Sequence, residues 1–389
     1  MVGHRRKSSS ARGRQGHPVA TILVGGLAVL TLVIGVSACG TGGSKATSTT
    51  ALASGTSSTI STAISDTQAI AGGAAITTTA TAATAAPAAA ASGLSLVVEP
   101  DAGLGPLYGL LSSARKSVDL VMYELEDSKA ESILAQDEAR GVKVRVLLDE
   151  AYVGKYNQAA FSYLEAHKIA VHWAPSYFEL THEKAMVVDD KVAAVMTLNF
   201  TAQYYSSTRD FALIDAQTQD VAAIETTFAI DWAGKSTTAP NGSDLLWSPG
   251  AEQSLLNLIS SARRSLLVEN EEMSDASVTR ALEAAAGRGV KVEVVMTRQS
   301  SWSKAFDALA AAGVAVRTYA SSASLYIHAK AIVVDAGYSG AKVFAGSQNF
   351  STASLLHNRE LGIITTDAAV VSTVDSVVKR DATGGTPWR

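Results

Sequence analysis

One stretch of this chain occurs twice. Leu110-Leu111-Ser112-Ser113-Ala114-Arg115-Lys116-Ser117 returns as Leu258-Ile259-Ser260-Ser261-Ala262-Arg263-Arg264-Ser265, and Arg140-Gly141-Val142-Lys143-Val144 returns as Arg288-Gly289-Val290-Lys291-Val292, both at an offset of 148. A tandem duplication restricts the fold to two copies of one lobe, read here as residues 94–236 and 237–389. Within a copy, β-branched runs alternate with helical patterns. Strands are predicted over 118–125 and 142–148, and helices over 128–140 and 157–167. Gly141 and Gly289 each close a helix and open a strand. The alternation predicts an α/β fold with a mixed sheet flanked by helices in each lobe, the lobes related by a pseudo-twofold axis that brings equivalent sites together.

The repeated polar residues are His182, Lys184, Asp189 and Asn199, then His328, Lys330, Asp335 and Asn349. His and Lys two apart in a strand share a face. Asp189-Asp190-Lys191 is a turn signal, so a hairpin is predicted. Folded symmetrically, it sets Asn199 opposite His182 and Thr197 opposite Lys184, and likewise Asn349 opposite His328 and Ser347 opposite Lys330. An acidic residue lies eleven positions past each Asn, Asp210 and Glu360. A carboxylate there can take the imidazole Nδ1 proton and leave Nε2 to attack or donate. Two imidazoles, two ammonium groups and two amides around one cavity suit a phosphodiester. Lys184, Lys330, Asn199, Asn349, Thr197 and Ser347 would bind the phosphate, and no metal or other cofactor is required.

These motifs resemble those of the phospholipase D superfamily, over essentially all of residues 94–389. The family pattern is HxKxxxxD, a GSxN segment and a downstream acid. The second copy matches it throughout with His328, Lys330, Asp335, Gly346-Ser347-Gln348-Asn349 and Glu360; the first has Met196-Thr197 in place of Gly-Ser. The resemblance implies a covalent phosphohistidine, with His182 as nucleophile and His328 as acid, resolved by water or an alcohol. Asp189 and Asp335 are read as structural parts of the hairpins.

The N-terminus points to export. Arg5, Arg6, Lys7, Arg12 and Arg14 precede an uncharged apolar stretch from Val19 to Ala38, and Val36-Ser37-Ala38-Cys39-Gly40 resembles a bacterial lipobox. Residues 1–38 are read as a lipoprotein signal and Cys39, the sole cysteine, as the acylated residue. An uncleaved anchor is the alternative. Residues 39–93 are rich in Ser, Thr and Ala and read as a stalk. Residues 94–389 hold 26 basic and 35 acidic groups, a balance that disfavours non-specific attraction to nucleic acid or anionic lipid headgroups; taken with the membrane tether, it leaves a phospholipid or other phosphodiester at a membrane as the expected partner. A membrane-tethered monomer is expected. A zinc-protease reading of His182-Glu183 fails because Met186 stands where a second His is needed. Glu124, Glu126, Glu269, Glu271 and Glu272 end the first strand of each copy, at the cleft mouth or in solvent, and Trp302 and Tyr326 either contact substrate or pack. A nuclease, a cardiolipin synthase-like transferase and a decayed binding protein are the alternative functions.

Overall fold

Asp127 and Asp275, again 148 apart, begin the corresponding helix of each half. Each side chain accepts from two backbone N–H groups of the first turn, Lys129 and Ala130 in one case and Ser277 and Val278 in the other. Both helices stop at a glycine with a left-handed backbone, Gly141 at φ 91° and Gly289 at φ 85°, which side chains with a Cβ disfavour. The computed structural model describes residues 93–389. The export signal, Cys39 and the stalk, up to Ser92, lie outside the described residues.

The first half builds strands β1 (Leu94–Glu99), β2 (Ser117–Met122), β3 (Lys143–Leu148), β4 (Ala170–Trp173), β5 (Lys184–Val188), β6 (Val192–Met196) and β7 (Thr208–Asp215). The second builds β8 (Leu245–Ser248), β9 (Ser265–Glu269), β10 (Lys291–Thr297), β11 (Ala315–Tyr319), β12 (Ala331–Val334), β13 (Lys342–Gly346) and β14 (Glu360–Thr365). The sheet orders are β1-β7-β6-β5-β2-β3-β4 and β8-β14-β13-β12-β9-β10-β11, one topology used twice. In each, the crossover strands β2-β3-β4 or β9-β10-β11 are parallel and the rest antiparallel. This is the mixed α/β sandwich that the alternating pattern predicts.

Each sheet buries both faces. The outer face of the first packs under helices Gly105–Ser112, Ser128–Ala139 and Gly154–Ala166, and that of the second under Ala251–Ser261, Ala276–Gly287 and Ser303–Ala311. The inner faces share one apolar cluster, in which Ala193 and Val195 of the first half join Ala345 and Leu361 of the second. Small residues on these inner strands let the halves approach closely. Helices Thr218–Trp232 and Ala368–Gly384 complete this shared layer with Val221, Ile224, Val374 and Val378.

The halves also exchange charges. Arg209 pairs with Asp381 (Nε to Oδ2 2.5 Å), and Arg359 with Asp231 (Nε to Oδ2 2.8 Å); both members of each step are offset by 150, and all four residues are at most 5% exposed. Reciprocal contacts of this kind are what a twofold relation produces. Removing one member of the Arg209–Asp381 pair leaves the other buried with at most a distant, exposed partner, Arg380 at 3.8 Å for Asp381 and Asp101 at 3.7 Å for Arg209. Arg209→Met is therefore expected to lose about 3–5 kcal/mol of stability in urea unfolding, and Arg209→Met with Asp381→Leu to recover much of it. A loss under about 1 kcal/mol, as for exposed pairs, would count against this role.

Candidate active site

The hairpin register departs from the symmetric expectation by one residue. Asp189 and Asp190 both take left-handed backbone, at φ 57° and 55°, and Lys191 N–H closes the turn on Val188 O at 3.1 Å. The loop then has an odd length, and Val188 pairs with Val192 and Ala185 with Val195. In the second half Ala331 pairs with Ala345. Continued along the strands, this register sets Met196 across from Lys184 and Gly346 across from Lys330, displacing Thr197 and Ser347 from those places. Both hydroxyls turn to the neighbouring strand instead. Thr197 Oγ1 accepts from Phe211 N–H at 2.9 Å and donates to Asp210 Oδ1 at 2.5 Å, and Ser347 Oγ accepts from Leu361 N–H at 3.1 Å. They brace the acid-bearing strands β7 and β14, and the expected placement beside the lysines is corrected; the same one-residue shift takes Asn199 and Asn349 out of the symmetric places across from His182 and His328.

The two motif aspartates tie the turns down. Asp189 accepts from the backbone N–H groups of Arg115, Lys116 and Ser117, and Asp335 from those of Arg263, Arg264 and Ser265. These bonds hold both carboxyls below the usual carboxylate pKa against the opposing effect of burial.

The imidazoles and acids pair crosswise. His182 Nδ1 lies 3.0 Å from Glu360 Oε2, and His328 Nδ1 lies 2.8 Å from Asp210 Oδ1, so each half supplies the carboxylate for the other half's ring. The backbone arranges this. His182 N–H donates to Arg359 O at 2.9 Å, and Ala329 N–H donates to Arg209 O at 2.8 Å, placing each histidine against the strand start that carries the opposite acid. Tyr326–Ile327 even extends the first sheet, pairing with Thr208–Arg209. The Ser347 carbonyl, 3.2 Å from His182 Nδ1, can only accept, so the proton sits on Nδ1 and Nε2 carries the lone pair.

Burial sets the electrostatics. Lys184 and Lys330 are both 0% exposed, and each Nζ donates to the carbonyl of its own motif histidine, at 2.6 and 2.5 Å. Burial, then the Lys330 ammonium, pushes Lys184 well below the usual lysine pKa. Burial, then the two lysines, does the same to His182, which is neutral at pH 7. Burial raises Glu360 to about 7, against the pull of Lys184 and of hydrogen bonds from Ser354 and Asn358. Asn199 and Asn349 each precede a residue that pairs with the segment following β2 or β9, Phe200 with Leu125 and Phe350 with Met273. Among the described residues, the Oδ1 atoms of both are buried without a hydrogen-bond partner.

Two residues join this set that motif reading did not place. The predicted strand over 118–125 ends at Met122, and Tyr123 turns into the site, its carbonyl held by Asn157 Nδ2 at 2.7 Å. Its ring lies 4.6 Å from the His182 ring and 4.7 Å from Lys184 Nζ. The residue 148 positions on is Glu271, whose Oε2 lies 3.0 Å from Lys330 Nζ. Of the other strand-end glutamates, Glu269 is fully buried and Glu126 is exposed. Trp302 packs against the second-half core, and Tyr326 donates to Glu271 Oε1 at 3.0 Å.

Residues 107–232 and 255–382 each match the family described as "Cardiolipin synthase, PLD-like domain", together well over half of the chain. The chain belongs to the phospholipase D superfamily. Its similarity to the major cardiolipin synthase ClsA of Bacillus subtilis (strain 168) is 25% identity over 317 residues, covering 70% of this chain and 65% of that protein, just under two thirds of the relative's length. Among solved structures it resembles phosphatidylserine synthase from Haemophilus influenzae Rd KW20 (TM-score 0.60, 12% identity, 76% of this chain and 87% of that one). It also resembles polyphosphate kinase from Porphyromonas gingivalis (TM-score 0.58, 16% identity, 74% and 46%). At these identities the two structures speak for the fold.

The phospholipase D-type Gly-Ser pair has a steric basis in the second half. A Cβ on Gly346 would meet Gly362 Cα at 2.3 Å, so the strands there tolerate only glycine. The first half solves the same position differently, with Met196 packed into its outer apolar core alongside Met122 and Met186.

Proposed function

We propose that this chain is a phospholipase D-type phosphodiesterase that cleaves the headgroup phosphodiester of phospholipids through a covalent phosphohistidine. The crosswise pairing of two imidazoles with two carboxylates, around two buried lysines, is the observation that carries the reading. His182 Nε2 attacks phosphorus. As the P–N bond forms, the P–O bond to the headgroup breaks, and His328 Nε2 gives that oxygen its proton. Water then attacks the same phosphorus, passes a proton to His328 and releases His182 as the P–N bond breaks. Lys184, Lys330, Asn199 and Asn349 stabilise charge on the non-bridging oxygens. Membership of the family and the likeness to a cardiolipin synthase support a phospholipid substrate.

The same likeness favours a second reading, in which an alcohol replaces water in the second step. Phosphatidylcholine, cardiolipin and single-stranded DNA, assayed at two salt concentrations with and without glycerol, separate these cases. Lipid turnover that persists in EDTA is expected, because ammonium groups supply the charge stabilisation; glycerol in the product would mark transfer. Loss of turnover in EDTA, or salt-sensitive DNA cleavage without lipid turnover, would overturn the proposal.

In this reading the protein works as a monomer outside the cytoplasm, tethered by acylated Cys39 through its stalk. No helix among the described residues is long and apolar enough to cross a membrane. Cys39→Ala is expected to abolish labelling by a fatty-acid probe and to move the protein from the membrane to the soluble fraction; persistent acylation would contradict the anchor.

A further inference from the structure

Glu271 holds a position for which the paired tetrads have no use. Asp127 and Asp275 cap corresponding helices, so Tyr123 and Glu271, each four residues earlier, are one position in two copies. The first copy lays an uncharged ring beside its His and Lys. The second lays a carboxylate there, with Oε2 3.0 Å from Lys330 Nζ and 3.6 Å from His328 Nε2, and with Oε1 accepting from Tyr326 OH at 3.0 Å. Burial alone would raise this carboxyl, but Lys330 and His328 outweigh it and hold it well below the usual range, so it is an anion at neutral pH.

A phosphoryl group attacked by His182 and protonated by His328 must bring a non-bridging oxygen to Lys330 and its leaving oxygen to His328 Nε2. Glu271 Oε2 already lies between those two donors. Two anions cannot share one ammonium at hydrogen-bonding distance in a buried site without strong repulsion. We propose that Glu271 is an internal competitor: its carboxylate fills the phosphoryl-oxygen seat of the second half-site and must be displaced by substrate. The inference rests on reading the two tetrads as a phosphoryl site. It follows that the site discriminates by ligand charge. A monoanionic diester meets one repulsion from Glu271, whereas a dianionic monoester or inorganic phosphate meets about twice as much. The site therefore takes in the diester and releases the monoester that hydrolysis makes.

Inorganic phosphate titrated into the full protein by calorimetry tests this without turnover. Glu271→Gln keeps an oxygen for Tyr326 OH and removes the charge; it is expected to bind phosphate about tenfold tighter or more, and Glu271→Asp to stay within about threefold of the parent protein. The gain should vanish when Lys330→Met is added, which places it at this seat. Should Glu271→Gln fail to fold, Glu271→Tyr, which installs the residue of the first copy, is expected to show the same tightening. Phosphate affinity in a folded uncharged variant equal to or below the parent's, or a gain that survives Lys330→Met, would overturn the proposal. Tightening without turnover of any lipid would instead sink the proposed function and leave the competitor standing.

Discussion

Alanine at either His182 or His328 should lower phospholipid turnover by about 10³-fold or more, and the double variant should be little worse than either single one. The two rings act in sequence on one phosphorus atom, so removing the second costs little once the first is gone. The crosswise geometry makes this prediction sharp. His182 is oriented by Glu360 and His328 by Asp210, so neither half contains a complete histidine–acid pair of its own. Two independent half-sites would leave each single variant with about half the activity, in line with simple additivity for separate sites. Steady-state rates of the two singles and the double variant decide between these outcomes. Thermal melts should accompany them, since the His182 ring packs edge-on against Tyr123.

The second large effect is expected at the acids. Glu360→Gln and Asp210→Asn should each cost about 10²–10⁴ in kcat, by analogy with other His–carboxylate pairs. When His182 Nε2 takes the phosphoryl group, the imidazole gains positive charge, and the Glu360 carboxylate is the anion facing it. The pH profile carries a distinct signature. Glu360 titrates at about 7, so as pH falls through 7 it takes up a proton, loses its charge and stops stabilising that ring. Activity should decline on the acid side of about pH 7, and this limb should flatten in Glu360→Gln. On the alkaline side, Lys184 loses its proton below the usual lysine range because burial and Lys330 push it down. With its charge gone it no longer stabilises the phosphoryl oxygens, so activity falls again as pH rises. A wild-type acid limb retained unchanged in Glu360→Gln would detach Glu360 from catalysis.

Much of the architecture was legible because it is written twice. A local signal such as the Gly141 stop gains weight when Gly289 repeats it, and two copies of one strand order follow. What escaped was set by backbone detail or by contacts between the halves. The hairpin register depended on whether Asp190 took left-handed backbone along with Asp189, which a turn-rich sequence leaves open. The exchange of Glu360 and Asp210 between histidines is a property of how two lobes dock, and no spacing within one motif encodes it. Arg209 and Arg359, which brace that docking, each directly precede one of these acids, so the signal lay one residue away from the motif. Glu271 was visible as one glutamate in a run and the 148-residue offset matches it to Tyr123, but only the folded chain sets it on Lys330 and separates it from Glu269, which is buried away.

In the proposed mechanism the two tetrads make one phosphoryl site. Rapid quenching of the protein with a phospholipid labelled in its phosphoryl group, followed by intact-mass and peptide analysis, tests it most directly. At most one adduct per chain is expected, carried on His182 and absent from His182→Ala. Two adducts on one chain, or an adduct on His328 that persists in His182→Ala, would contradict it.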